Sequence, residues 1–137
     1  MNRPLAHNLA RIAVLLALAG PLAAAPARER TEFDSASMLE LAETSGCSGC
    51  HQIESGALGP DGRAAIGPAW RMVSAKYAGQ AGAEKKLIAL VMSGSTPFDR
   101  HWKGKETSPQ MPVNAKVINE SDARMLVQWI LGLDARK

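Results

Sequence analysis

The placement of the two cysteines constrains this chain more than any other feature. Both lie within one pentapeptide, Cys-Ser-Gly-Cys-His, at residues 47–51 of a 137-residue chain. Two cysteines cannot make a disulfide-dense scaffold. A thioredoxin-like redox pair belongs next to a strand in a βαβ unit, whereas here a helix is predicted before the motif and no strands after it. A zinc site needs four ligands, and His101 is the only further candidate beside Cys47, Cys50 and His51. A disulfide between the two cysteines would leave His51 without a role.

The same spacing is typical of covalent haem attachment. Each thiol adds across one haem vinyl group as a thioether, and two intervening residues let one turn of backbone span both vinyls. The adjacent His51 is then placed to be the proximal ligand of the iron. Only 4% of the residues are aromatic, so the chain is short of large apolar side chains, and a porphyrin supplies one. The sequence therefore predicts one haem c, attached through Cys47 and Cys50.

The first 27 residues have the features of a secretory signal peptide. Arg3 and Arg11 form a positive n-region, residues 12–19 are apolar, and small residues follow as a cleavage site. This apolar stretch is shorter than the roughly 20 residues that a membrane-spanning helix needs, although an uncleaved anchor is the alternative interpretation. The chain is thus divided into a signal peptide at 1–27, a loose lead-in at 28–36 and a folded domain at 37–137.

The net charge and the hydropathy of the chain argue against two kinds of partner, nucleic acid and a membrane interior. The formal net charge is +3, and removal of Arg3 and Arg11 leaves 14 basic and 13 acidic residues. This weak balance argues against a nucleic-acid partner. No second hydrophobic run is long enough to cross a bilayer. We therefore expect an exported, periplasmic protein with no stable membrane insertion.

The apolar spacing of the folded part is helical throughout, and no alternating strand pattern is found. A capping box formed by Ser37 and Glu40 is expected to start the first helix, and Asn119 with Asp122 the last. Between the third and fourth helices, residues 95–118 are irregular, which in a small domain indicates a functional loop that encloses something. The predicted fold class is all-α, with helices near 37–45, 70–78, 83–93 and 120–132.

One methionine stands out as a candidate for the second axial ligand of a haem iron. Four others lie in or beside helical apolar stripes and are expected to pack in the core: Met38, Met72, Met92 and Met125. Met111 lies instead in the irregular loop between Pro109 and Pro112, and proline neighbours stiffen the backbone. A thioether ligand favours the ferrous state and raises the reduction potential. The prediction is Met111, with His101 as the alternative.

Several segments together resemble the short bacterial class I monohaem cytochromes c. They are the haem motif and the stretches at 66–69, 76–84, 110–114 and 126–131. The resemblance covers about residues 37–133. It implies a small class I cytochrome c fold, with about four helices wrapped around one covalently bound haem. It also implies a one-electron carrier rather than an enzyme, which serves respiratory donors and a terminal reductase or oxidase.

The resemblance assigns further roles by position. Pro68 is expected to accept a hydrogen bond from Nδ1 of His51 through its backbone carbonyl, which orients the ring. Trp102 is expected to direct its indole N–H at a haem propionate. Asn114 is expected to donate to the Met111 sulfur or to hold the Met111 loop.

The sequence also departs from the family pattern. Trp129 is expected where the first and last helices cross, but Ala42 stands where the first helix usually brings an aromatic residue. Leu90 replaces an arginine that often neutralises a propionate, and residues 97–108 form a longer segment than in short members. Basic residues of that segment are candidates to replace the lost charge: Arg100, Lys103 and Lys105.

A haem with both axial positions filled by protein has no vacant site for substrate, which leaves electron transfer as the task. We expect a monomer that docks transiently with redox proteins at an exposed haem edge. Six lysines are candidates for the docking surface: Lys76, Lys85, Lys86, Lys103, Lys105 and Lys116. The alternatives are a five-coordinate haem sensor or enzyme, and a haem domain or subunit of a larger respiratory complex.

Overall fold

The structure, a computed structural model, describes residues 33–96, 102 and 110–134. These residues form four α-helices: α1 (Ser35–Thr44), α2 (Trp70–Tyr77), α3 (Ala83–Ser93) and α4 (Glu120–Leu131). One 3₁₀ turn covers Cys47–Gly49. Within this part of the chain, β structure is limited to an isolated bridge between Leu58 and Ala64. The predicted all-α class is confirmed, whereas the predicted signal peptide at 1–27 lies outside the described residues.

The start of α1 corrects the capping prediction. The carboxylate of Asp34 accepts hydrogen bonds from the Ser37 backbone N–H at 3.0 Å and from Oγ of Ser37 at 2.8 Å. Asp34 is therefore the N-cap, and Ser37 lies inside the first turn. An aspartate oxygen satisfies the free N–H groups of a first turn as well as a serine does. Residues 35 and 36, predicted as part of the lead-in, are helical.

The other helix ends follow the sequence closely. Oδ1 of Asn119 accepts from the Asp122 backbone N–H at 2.9 Å, so the predicted cap of α4 is confirmed. Helix α3 ends at Gly94, whose φ is +73°. Only glycine adopts this left-handed conformation without strain, and it stops the helix there.

Helix α4 forms the centre of the fold because α1, α2 and α3 all pack against it. Trp129 of α4 is fully buried, and its Nε1–H donates to Oγ of Ser35 at 3.2 Å. The expected position of Trp129 at the α1–α4 crossing is confirmed. Ala42 is also fully buried there, and Trp70 of α2 meets Trp129 edge-on with ring centroids 5.5 Å apart. Helix α2 thus supplies the aromatic side chain that α1 lacks.

Helix α2 connects two clusters of the core. Trp70, at its first residue, belongs to the larger cluster around Trp129. Tyr77, at its last residue, belongs to a smaller cluster with Val73 and Ala83, against which Trp102 packs. At 1.5 Å per residue, the two ends of α2 lie about 10 Å apart along the helix axis. Any group lying along α2 therefore contacts both clusters.

Polar side chains on α2 tie it to the end of α4. Oγ of Ser74, a residue 1% exposed, donates to the Leu131 carbonyl at 3.0 Å and accepts from the Asp134 N–H at 3.2 Å. Arg71 donates to the Leu133 carbonyl at 2.9 Å. Since these bonds satisfy buried polar groups, they fix α2 relative to α4.

No helix in the described part of the chain combines the length and the hydropathy that a bilayer-spanning helix needs.

Candidate functional site

A cavity of about 290 Å³ lies between the helices and two loops. Cys47, Cys50, His51 and Met111 all line it. Helices α2, α3 and α4 contribute apolar side chains to its wall: Val73, Leu87, Leu90, Leu126, Val127 and Ile130. Among the described residues, no charged side chain lines this cavity. The structure thus brings the haem motif and the loop methionine to one apolar space.

The haem motif is folded as a single tight turn. The backbone N–H groups of Cys50 and His51 both donate to the Cys47 carbonyl, at 3.1 and 3.0 Å. Gly46, with φ of +75°, ends the preceding chain in a left-handed conformation that a side chain would strain. The turn places both thiols and the imidazole at the same cavity.

The ring of His51 is oriented by a hydrogen bond. Its Nδ1 lies 2.8 Å from the carbonyl oxygen of Pro68. A carbonyl can only accept, so Nδ1 carries the proton and Nε2 keeps its lone pair. Burial lowers the pKa of His51, and the bond to Pro68 opposes this in part. The imidazole is therefore neutral, which is the form that binds a metal.

The chain around Pro68 encloses the other sides of the ring. A Cβ added to Gly67 would lie only 2.6 Å from Cε1 and 3.0 Å from Nε2 of His51. The ring plane of Trp70 is within 16° of the His51 ring, with centroids 6.3 Å apart. The Gly67 N–H donates to the Cys50 carbonyl at 2.8 Å. This segment therefore holds both the position and the tilt of the imidazole.

The cavity wall also contains Met111, which is held by the residues that follow α3. The Met111 N–H donates to Oγ of Ser95 at 2.8 Å, and the Ser95 N–H donates to the Met111 carbonyl at 2.9 Å. A Cβ added to Gly94 would lie 2.7 Å from the same carbonyl oxygen. The close approach of the two segments thus requires glycine at position 94.

Asn114 fastens the far side of the Met111 loop. Its Nδ2 donates to the Val91 carbonyl at 3.2 Å and to the Pro112 carbonyl at 2.8 Å. Its backbone N–H also donates to Val91 at 3.3 Å. Of the two roles expected for Asn114, these bonds correspond to holding the loop.

The other methionines that the structure describes lie elsewhere. Met38 is buried in the larger cluster, and Met92 and Met125 pack against it. Sδ of Met72 accepts a hydrogen bond from Oγ of Ser55 at 3.0 Å. Among the methionines that the structure describes, Met111 alone lines the cavity. His101 lies outside the described residues.

Trp102 and Leu90 also line the cavity. Nζ of Lys76 lies over the Trp102 ring, 4.3 Å from its centroid. Leu90 brings an apolar side chain to the wall. The replacements considered from the sequence, Arg100, Lys103 and Lys105, lie outside the described residues.

The surroundings of the two cysteines argue against a thioredoxin-like redox pair and a zinc site as interpretations of the motif. Burial raises the pKa of Cys47, whereas a reactive redox thiol has a lowered pKa. Cys47 and Cys50 are not joined to each other in a disulfide. Across residues 33–96, 102 and 110–134, no three side chains of the metal-binding types come together as a metal site. The structure therefore offers no ligand set for the zinc alternative in this part of the chain.

The donor set and the wall fit an iron porphyrin. Two thiols in one turn suit the two vinyl groups, and a neutral imidazole and a thioether are established axial ligand types of cytochrome haems. The apolar wall suits a large flat ring, and glycines at 67 and 94 leave room for close approach. The geometry is thus compatible with a covalently bound haem.

Comparison with known proteins decides the family. The profile of the cytochrome c family matches residues 39–134. The chain belongs to the cytochrome c family. It is 40% identical over 93 residues to cytochrome c2 of Rhodocyclus tenuis, covering 68% of this chain and 88% of that protein. It is 41% identical over 95 residues to cytochrome c-551 of Allochromatium vinosum, covering 69% and 84%.

The fold comparison agrees with the sequence comparison. The crystal structure of cytochrome c552 from Nitrosomonas europaea matches with a TM-score of 0.53 at 32% identity, over 69% of this chain and 98% of that chain. This confirms the small class I monohaem cytochrome c fold. This cytochrome c is therefore an electron-transfer protein, not an enzyme, and its cofactor is covalently bound haem c. Cys47 and Cys50 are its two cysteines.

Sequence reasoning missed three residues that shape this site. Gly94 directly follows the third helix predicted near 83–93, but its contact with the Met111 loop was not predicted. Ser95 lies 16 positions from its partner Met111, so no local pattern could have indicated the bond. Trp70 was interpreted as a helix residue only, although its place two residues after Pro68 was a usable signal for a contact with His51.

Proposed function

We propose that this protein is a periplasmic one-electron carrier whose haem c is six-coordinate, with His51 and Met111 as axial ligands. The observation that carries the proposal is that both side chains line the same apolar cavity as Cys47 and Cys50. Bound haem supplies a reversible one-electron couple. The residues of the chain determine how accessible and how stable that couple is.

The proximal side supports His51 as a fixed ligand. Because Nδ1 is engaged by Pro68, Nε2 is the nitrogen left to face the cavity. Hydrogen bonding of this kind orients a ligand ring and makes it more basic. Gly67 and Trp70 limit rotation of the ring. The imidazole therefore keeps its place when the charge at the centre changes by one electron.

The distal side supports Met111 as the second ligand. Ser95 brackets its backbone with two hydrogen bonds, and Asn114 fastens the loop to α3. A methionine held in this way stays at the iron, so neither water nor a substrate takes its coordination position. The apolar wall keeps water from the ring, which also favours the reduced, less charged state.

Export and processing complete the proposal. Residues 1–27 act as a signal peptide, a short lead-in follows, and the folded domain extends toward residue 137. Haem attachment of the c type takes place outside the cytoplasm, which agrees with export. The carrier then operates in the periplasm as a monomer.

The proposed partners are redox proteins that dock transiently between respiratory donors and a terminal reductase or oxidase. Lys85, Lys86 and Lys116 are exposed and Lys76 is half-buried, so they can contribute to a docking surface. Lys103 and Lys105 lie outside the described residues. Steering by exposed charges weakens as salt increases.

The visible spectrum of the holoprotein, oxidised and reduced, before and after addition of carbon monoxide, tests the ligand set. The expected result is a spectrum of reduced protein that carbon monoxide changes little at neutral pH. Rapid, tight carbon monoxide binding would contradict the carrier proposal and favour a five-coordinate sensor or enzyme. Purification only as part of a stable complex would favour a fixed respiratory subunit.

A pair of methionine variants identifies the second ligand. Met111→Ala is expected to lose the weak red absorption band of the thioether–ferric iron pair and to lower the reduction potential. Met72→Ala is the matched control, since its sulfur is bonded to Ser55 instead, and it should keep both. A Met111→Ala spectrum identical to wild type would transfer the assignment to His101.

A further inference from the structure

A haem c brings two propionate carboxylates into a cavity whose described wall has no charged side chain. Leu90 contributes an apolar side chain to this wall. Carboxylates in apolar surroundings are costly unless a cation or hydrogen-bond donors meet them. A cation beside the described part of the wall would lower this cost.

The covalent attachment determines where the propionates lie. The thioether bonds form at the vinyl groups, and the propionates are on the opposite edge of the macrocycle. Cys47 packs against the larger core cluster, whereas Trp102 packs against the smaller cluster that contains Tyr77. Both Cys47 and Trp102 line the cavity. A haem attached at Cys47 and reaching Trp102 would bring its propionate edge to the end of the cavity formed by Trp102 and Tyr77.

Two lysines stand at this end. Nζ of Lys76, in the last turn of α2, lies 4.3 Å from the centroid of the Trp102 ring. Nζ of Lys86 lies 5.8 Å from the centroid of Tyr77. A cation within about 6 Å of a ring is attracted to the face of that ring. Lys76 is half-buried, whereas Lys86 is exposed, so the charge of Lys76 is less screened by solvent.

We propose that Lys76, held over Trp102, supplies positive charge that faces the haem propionates. This inference rests on the covalent haem c of the family, and it does not depend on which residue is the second axial ligand. Ser74 and Arg71 fix α2 against the end of α4, so Lys76 extends from a rigid helix. It is a positioning residue that acts on the propionates and on the balance of the two redox states.

The charge has a definite effect on the potential. Reduction adds one electron to the haem, and a nearby cation stabilises the state with the additional negative charge. Lys76 therefore favours the ferrous form. Removal of its charge is expected to lower the reduction potential.

The test compares reduction potentials of holoprotein variants at low ionic strength. Lys76→Gln is expected to lower the potential several times more than Lys85→Gln, which removes the same charge from an exposed position of α3. Lys76→Arg keeps the charge and should keep a potential close to wild type. Equal shifts for Lys76→Gln and Lys85→Gln would overturn the proposal.

A rescue experiment covers the case in which Lys76→Gln folds poorly. The double variant Lys76→Gln/Leu90→Arg restores a cation from the wall itself and is expected to return the potential toward wild type. The proposal is contradicted if the reduction potential of the double variant stays as low as that of Lys76→Gln. If the single variant cannot be isolated, a double-variant potential well below wild type contradicts it. The red thioether band is recorded for every variant. Absence of the band in wild-type protein would contradict Met111 as an axial ligand. If wild-type protein has the band and Lys76→Gln leaves the reduction potential unchanged, only the Lys76 proposal is contradicted.

Discussion

The two sides of the haem cavity are built differently. On the proximal side, His51 sits in the turn of its own motif, and the segment it contacts is joined to that motif by backbone hydrogen bonds, such as Gly67 N–H to the Cys50 carbonyl at 2.8 Å. On the distal side, the backbone bonds from Ser95 N–H to the Met111 carbonyl and from Asn114 N–H to the Val91 carbonyl are joined by two bonds that depend on side chains, those of the Ser95 hydroxyl and the Asn114 amide.

The larger share of side-chain bonds is expected to make Met111, the proposed distal ligand, easier to displace than His51. A bond between two backbone groups survives most substitutions, whereas a bond to a side chain is lost with that side chain. The imidazole is also enclosed by Trp70, Gly67 and Pro68. We therefore expect single substitutions to release Met111 more readily than His51.

The largest effect is expected from paired glycine variants, one on each side. In Gly94→Ala, the new Cβ would lie 2.7 Å from the Met111 carbonyl oxygen, and the φ of +73° is strained for alanine. Such strain costs about 1–3 kcal/mol, in addition to the clash. We expect loss of the red thioether band while the haem stays covalently attached.

Gly67→Ala is the proximal counterpart. Its Cβ would approach the His51 ring to 2.6 Å, and overpacking of this kind costs about 1–3 kcal/mol. Because His51 directly follows Cys50, its ring should tilt rather than move away from the haem iron. The red band should therefore persist, with a shifted reduction potential. Retention of the band in Gly94→Ala together with its loss in Gly67→Ala would reverse the comparison.

An intermediate effect is expected from Asn114→Ala. The variant loses the side-chain hydrogen bonds to the Val91 and Pro112 carbonyls, and the loss of a hydrogen bond of this kind costs about 1 kcal/mol. The red band should be present at low temperature and disappear well below the unfolding transition, as followed by absorbance on heating. Gln80→Ala is the control, since its amide bonds to the Lys76 carbonyl on the surface. Coincident loss of the band and of helical circular dichroism in Asn114→Ala would show that the loop is not a separate unit.

The smallest effect on the site is expected from Ser74→Ala. Its hydroxyl joins α2 to the end of α4, and loss of such a bond costs about 1 kcal/mol of folding free energy. Denaturant unfolding should detect this loss, while the potential and the red band stay as in wild type. Ser93→Ala removes an exposed hydroxyl that donates to the Ala89 carbonyl and should change stability less. A shifted potential in Ser74→Ala would mean that the scaffold and the site are coupled.

Local features of the sequence predicted much of the fold. The Asn119 cap, the stop at Gly94 and the apolar stripes of α3 and α4 each depend on residues within a few positions of one another. The wrong N-cap predicted for α1 also arose from such local features. Ser37 and Asp34 are both good capping residues three positions apart, and the sequence alone does not rank them.

The amino-acid sequence by itself determined the chemistry of attachment, since two thiols and an imidazole at this spacing are fixed by covalent geometry along the chain. It also singled out Met111, because no helical stripe accounts for a methionine between two prolines. Only the tertiary structure decided what surrounds these groups. Ser95 against Met111, Trp70 beside His51 and Lys76 over Trp102 are contacts between segments far apart in sequence. Such contacts depend on how α2, α3 and α4 pack, and packing leaves no local pattern in the chain.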